Sequence, residues 1–289
     1  MRINPKTLEE VAFKLLEKAA TSLPDDVKKA LKSAYEREDS PTAKTELKNI
    51  LDNIESAEKL KKPLCQDTGM ISFYVRSREI ENFVEVRKAL IDATVKATET
   101  IPLRPNAVHP ITRKNTGNNV GEHIPHIEWI YTDQDHVELI ASIKGGGSEN
   151  MSALAMITPG LGVKGVKKFI VDTVVKAGAQ PCPPTIVGVG LGGTVEISFK
   201  LAKLALLRPL GSRNKDKDIS RLEDELFNLI NQTGVGPMGL GGKTTCLDVK
   251  IEYAHCHTAT LPVAVYFQCW ADRRASAKIS PDGSFEFIV

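Results

Sequence analysis

The stretch Thr185-Ile186-Val187-Gly188-Val189-Gly190-Leu191-Gly192-Gly193 decides which fold this chain can have. Thr185 to Val189 is rich in β-branched residues and reads as a buried strand. Gly188 to Gly193 then matches the G-x-G-x-x-G pattern that opens a dinucleotide-binding βαβ unit. Such a unit needs a second strand ending in an acidic residue about 20 positions further on. Here Leu201 to Asp218 offers instead a helix end, Pro209, Gly211 and a charged loop. The dinucleotide reading lacks its second half.

Downstream, Gly234-Val235-Gly236-Pro237-Met238-Gly239-Leu240-Gly241-Gly242-Lys243-Thr244 ends like a P-loop, but Pro237 replaces the first required glycine and a strand follows where a helix is needed. In that strand Leu247, Val249, Ile251 and Tyr253 alternate with Asp248, Lys250 and Glu252. Another, from Pro262 to Trp270, sets Val263, Val265, Phe267 and Cys269 on one face, and Ser280-Pro281-Asp282-Gly283 turns a last hairpin.

Upstream, three amphipathic helices begin at Asn4-Pro5, near Val27 and at Ser40-Pro41, and Asn82 is placed to cap a fourth. Ile127 to Tyr131 and Val137 to Ile143 read as a hairpin around Thr132-Asp133-Gln134-Asp135. The second of these strands runs into Lys144-Gly145-Gly146-Gly147-Ser148-Glu149-Asn150. Consecutive glycines are costly in chain entropy and serve where backbone amides must approach a ligand, here an anionic one. The fold class expected is α/β or α+β: a helical N-terminal segment (residues 1–60), then mixed sheets with flanking helices (61–289) in two lobes around a cleft.

At 289 residues the chain can bury two cores, and its 38 basic and 36 acidic residues nearly cancel, which excludes a generic nucleic-acid surface. No apolar run reaches the length of a membrane span, and no signal peptide is apparent, so a cytoplasmic location is expected. The five cysteines are too scattered for a disulfide scaffold. Two sit on stiff loops. Cys65 lies in Pro63-Leu64-Cys65-Gln66-Asp67-Thr68-Gly69 beside an amide and a carboxyl, and Cys182 is enclosed by Pro181, Pro183 and Pro184. Structural zinc at His255-Cys256-His257 with Cys246 or Cys269 matches no known zinc-module spacing, whereas an iron-sulfur site can collect single cysteines from distant loops.

Leu64-Cys65-Gln66-Asp67-Thr68-Gly69, Leu103-Arg104, Lys144-Gly145-Gly146-Gly147-Ser148, Cys182-Pro183-Pro184, Leu240-Gly241-Gly242-Lys243, His257 and Cys269-Trp270-Ala271-Asp272-Arg273 follow one another in order. Together they resemble the alpha subunit of the two-subunit iron-sulfur hydro-lyases, the class I fumarate hydratase and L-tartrate dehydratase family. The resemblance implies a [4Fe-4S] cluster on Cys65, Cys182 and Cys269, with one iron open to a small dicarboxylate. It implies proton transfer by Asp67 and His257, and substrate contacts from Gln66, Asp67, Arg104, Gly146, His257 and, on its motif, Lys243. Fumarate hydration to L-malate is the activity expected, with L-tartrate dehydration the alternative. Single-chain relatives continue into a second domain. With this chain ending at Val289, the resemblance implies a separate beta subunit, and an alpha-alpha dimer within an oligomer, with no nucleic-acid or membrane partner.

Overall fold

The computed structural model describes residues 2–288. Its elements run α1 (Pro5–Thr21), α2 (Asp25–Arg37), α3 (Pro41–Leu60), β1 (Met70–Ser77), α4 (Phe83–Thr100), β2 (His126–Tyr131), β3 (Val137–Lys144), α5 (Gly146–Glu149) and β4 (Ala153–Met156). There follow α6 (Gly162–Ala177), β5 (Thr185–Gly192), α7 (Val195–Ala205), α8 (Lys217–Asn231), β6 (Cys246–Ala254), β7 (Pro262–Gln268), β8 (Arg273–Ile279) and β9 (Phe285–Phe287). This is the helix-and-mixed-sheet class that the sequence predicts. Among the described residues no helix is long and apolar enough to cross a membrane. The chain divides into two units, each assembled from separate segments.

The first unit comprises the residues up to Asp25, Asn53–Gly146 and those from Arg273 on. The Asn4 side chain accepts from the Lys6 amide at 2.9 Å and Pro5 fills the first helical position, so α1 starts where its sequence says it must. Its Leu8, Val11, Leu15 and Leu16 stripe packs with Phe73, Leu90, Leu139 and Ile143 in one core. Each such side chain contributes about 1.5–3 kcal/mol on burial. The sheet order is β2-β1-β3-β8-β9.

That order corrects the expected hairpin. β2 and β3 do not pair with each other, because β1 lies between them, parallel to β2 and antiparallel to β3. Alternation reports which face of a strand is buried and carries no information about its neighbour. β1 is mostly buried and needs a partner on both edges. Asn82 makes no capping bond to α4. Its amide is instead paired with the backbone of Ile3, donating to the carbonyl at 2.9 Å and accepting from the N–H at 3.1 Å.

The second unit comprises Asp26–Asp52 and Gly147–Asp272. Its sheet order is β4-β7-β5-β6, with β5 and β6 parallel. Val166, Ile170 and Val174 of α6 and Leu222, Leu226 and Ile230 of α8 share a core with Val187, Val189, Val249, Ile251 and Phe267. The glycines of the dinucleotide-like fingerprint now have their explanation: α7 packs on β5, and a β-carbon at Gly190 or Gly188 would overlap the carbonyl oxygens of Ser198 and Ala202. They serve close helix-strand contact and need no phosphate ligand.

Two strand readings also change. β7 ends at Gln268, which puts Cys269 on a loop, and His255-Cys256-His257 follows the end of β6 at Ala254. The polar face of β6 is not solvated: Asp248 and Lys250 are both buried. Lys250 Nζ lies 2.8 Å from Asp248 Oδ2 and donates to the Ser212 carbonyl at 2.5 Å, while Arg213 and the Gly211 amide reach Asp248 at 3.0 and 2.7 Å. A charged loop thus covers what alternation alone assigns to water.

Candidate active site

In the first unit the site is built on the loop between α3 and β1. Leu64 anchors it, buried, with its N–H on the Ala20 carbonyl at 2.9 Å and its carbonyl receiving the Asn53 amide at 2.9 Å. Gly69 ends it at φ +76°, where a side chain would be strained and its β-carbon would stand 2.6 Å from the Lys144 carbonyl oxygen. Between these anchors Cys65 is half-buried and Gln66 exposed.

Asp67 is the most connected residue of the loop. Its Oδ1 accepts from the Gly69 amide at 3.0 Å and from Asn106 Nδ2 at 3.5 Å, and its Oδ2 accepts from the Gly146 amide at 2.7 Å. Its backbone carbonyl receives Arg273 Nη1 at 2.5 Å. Next to it, Thr68 and Arg104 exchange bonds: Thr68 Oγ1 accepts the Arg104 N–H at 2.8 Å and donates to the Arg104 carbonyl at 3.2 Å. Asn119, buried, completes the brace by donating to that carbonyl and accepting the Asn106 N–H at 2.6 Å. Backbone fixation with an exposed guanidinium is the arrangement a carboxylate receptor needs, since little chain entropy is lost on binding. Asp67, Arg104 and Gly146, far apart in sequence, are thereby joined in one hydrogen-bonded cluster.

In the second unit Cys182 holds φ +54°, an uncommon backbone for a residue with a side chain. The loop is over-determined by its neighbours. The Cys182 N–H donates to Ala179 at 3.0 Å, its carbonyl receives the Trp270 N–H at 3.2 Å, and the Pro183 carbonyl receives the Met238 N–H at 2.7 Å. Gly147 lies so close that a β-carbon there would stand 2.7 Å from the Gln180 carbonyl oxygen. The Cys182 and Cys269 loops are therefore tied together, and Cys269 Sγ sits 3.5 Å from the Ala271 carbonyl.

His257 and Lys243 are hydrogen-bonded into neither cluster. His257 is exposed on the loop after β6, and its Nδ1 accepts from the Ala259 amide at 3.1 Å. That bond places the proton of a neutral ring on Nε2. The Lys243 ammonium pairs with Asp39, which holds the Asp39 carboxyl below the usual carboxylate range, and its N–H donates to buried Glu38 at 2.8 Å.

The five thiols differ in setting. Cys65, Cys182 and Cys269 are half-buried on loops; Cys246 is sealed in the core, and Cys256 is exposed with its thiol on the Thr260 carbonyl at 3.1 Å. Burial, and then the neighbouring Asp248 charge, push the Cys246 thiol far above its ordinary range, so it is unfit to serve as a thiolate. Among the described residues no three His, Cys, Asp or Glu side chains converge on the point a single metal ion would occupy. A cluster takes each cysteine on a different iron and needs no such point. Arg273, Asn106 and Asn119 are the site residues that sequence reasoning missed. Of these only Arg273 stood in a motif quoted above, Cys269-Trp270-Ala271-Asp272-Arg273, and nothing in that motif gave it a role.

The matched family model is that of fumarate hydratase (fumerase), over residues 9–278. The chain belongs to that family, and it is a hydro-lyase. Over 280 residues it is 48% identical to a Methanocaldococcus jannaschii protein named "Putative L(+)-tartrate dehydratase subunit alpha", covering 95% of this chain and 98% of that one. It is 36% identical over 281 residues to the L(+)-tartrate dehydratase subunit alpha of Escherichia coli K12, covering 96% and 93%. The subunit of the same name from Shigella sonnei matches equally, at 36% over 281 residues.

Proposed function

We propose that this chain is the alpha subunit of an iron-sulfur hydro-lyase that hydrates fumarate reversibly to L-malate together with a beta subunit. The observation that carries the reading is the Asp67–Gly146 bond at 2.7 Å beside the Thr68–Arg104 brace, which puts a carboxylate, an amide and the backbone that carries a cation on one hydrogen-bonded frame. Cys65, Cys182 and Cys269, all half-buried on loops, would hold the cluster. When bound, a cluster with an open iron supplies a Lewis acid for the substrate hydroxyl.

The chain's own residues supply the rest. Arg104 binds one substrate carboxylate through its planar fork, and Gln66, exposed on the Cys65 loop, offers an amide to the same ligand. The Gly146 amide is held on Asp67 Oδ2, so a substrate anion that draws this amide away frees Oδ2 to exchange a proton. His257 offers its Nε2–H as a hydrogen bond to the departing hydroxide, and the proton that Asp67 Oδ2 takes from carbon completes the water; hydration uses the same atoms in reverse. Lys243 reaches a substrate carboxylate only by leaving Asp39.

The names of the relatives favour a second reading, L-tartrate as the acid dehydrated. Anaerobic assay of the reconstituted two-subunit enzyme with fumarate, L-malate and L-tartrate distinguishes them. Turnover of none of the three by a fully loaded enzyme overturns the proposal.

A further inference from the structure

Arg273 opens β8 opposite Ile143 of β3, with 2% of its surface exposed. Its Nη1 donates to the Asp67 carbonyl, its Nε is buried without a hydrogen-bond partner, and no carboxylate among the described residues lies in ion-pair contact with it. A buried guanidinium with no anion in contact is a costly thing to keep in a marginally stable fold. What it gains is geometric. A β-carbon on Gly145 would stand 3.1 Å from both Arg273 Nη2 and Asp67 Oδ2, so at most twice that distance separates the two groups. The same Oδ2 receives the Gly146 amide.

We infer that Arg273 is a positioning residue. It fixes the Asp67 carbonyl from below, its Nη2 faces the carboxylate past Gly145, and the two together aim Oδ2 at the Gly146 amide before any substrate arrives. Glycine at 145 leaves these two groups undisturbed, whereas a methyl there would press on both at 3.1 Å and push them aside. The inference rests on the reading of Asp67 as a proton carrier, but its geometric part stands apart from catalysis.

Two measurements test it. Backbone hydrogen exchange at Gly146 in the full chain should accelerate at least about tenfold in Arg273→Met, the loss that follows from removing one buried hydrogen-bond partner. Arg273→Lys, which keeps a charge and one donor, should recover part of this protection. Gly145→Ala should reproduce the acceleration with Arg273 intact, which keeps the test decisive if Arg273→Met fails to fold. Per loaded two-subunit enzyme, Arg273→Met should lower kcat about tenfold with KM little changed, and should cost nothing further in an Asp67→Asn background, as two residues acting through one group require. Unchanged Gly146 exchange in Arg273→Met and Gly145→Ala would overturn the inference. Full turnover by Asp67→Asn would instead overturn the proton-carrier reading and leave the exchange result standing.

Discussion

The N–H of Trp270 donates to the carbonyl of Cys182 at 3.2 Å, binding together two loops that lie almost 90 residues apart in the chain. Neither loop thiol is committed to the core. Serine at Cys182, Cys269 or Cys65 should therefore abolish or sharply reduce iron and sulfide retained after anaerobic reconstitution. Cys246→Ala and Cys256→Ser should load normally. Normal loading of Cys182→Ser would remove it from the ligand set.

Cys246 links the fold to alkaline pH. Its thiol is raised by burial and by the nearby Asp248 charge above the ordinary value of 9.0, so above about pH 9 the unfolded chain releases a proton that the folded chain keeps. Folding stability from this group is complete below about pH 9 and falls as pH rises toward the folded value. Cys246→Ala should accordingly unfold in urea with a flatter loss of stability above pH 9 than the parent chain. An equal slope in both would show that other groups govern the alkaline limb.

Glu223 is fully buried on α8, with Oε1 accepting from Arg208 Nη1 and the Ile251 amide at 2.8 Å each and Oε2 accepting from the Asn214 amide at 2.9 Å. Glu223→Ala leaves the Ile251 and Asn214 amides without their acceptor and Arg208 with only its longer contacts, at 3.2 Å each, to Glu252 and the Ile251 carbonyl, and should cost roughly 2–5 kcal/mol in urea unfolding. Glu223→Gln should cost less, since one oxygen acceptor survives.

The hydrophobic stripes of α1, α6 and α8 were legible because a period of 3.6 leaves only one face to bury, and Asn4-Pro5 marks a helix start by side-chain chemistry alone. The insertion of β1 between β2 and β3 was not, since strand order is decided by non-local pairing. Burial of Lys250 escaped for a related reason: its partners Ser212 and Asp248 are on a distant loop and its own strand, and alternation treats a charge as solvated. At the site, the loops of Cys65 and Cys182 announced themselves through proline, glycine and polar context. Arg273 did not, because its role depends on the β3–β8 register that carries it to Asp67.

Arg104 presents an exposed guanidinium from a backbone pinned by Thr68 and Asn119. Arg104→Lys removes the two-pronged contact without disturbing those bonds, so KM should rise about 10- to 100-fold, the worth of a hydrogen bond to a charged group, with iron content unchanged. A fall in kcat alone would show that Arg104 acts in the transition state and not in ground-state binding.

The last prediction concerns the partner. The relatives matched over nearly their whole length bear the name subunit alpha, which implies a second polypeptide in those enzymes. In this chain Gln66, Arg104, Gly146 and His257 are exposed, and the Lys243 ammonium is occupied by Asp39. Charges so wetted interact weakly, since water screens them, and catalysis on a dicarboxylate needs them in a dry enclosure. A beta subunit that covers these groups would exclude water and give each contact its full strength. It would also shield an open iron from oxidants. The chain alone, reconstituted anaerobically to full iron content, should therefore show little or no dehydratase activity, and adding the beta subunit should restore turnover together with resistance of the cluster absorbance to air. Full turnover by this chain, shown by mass spectrometry to be free of any second polypeptide, would refute the division of labour.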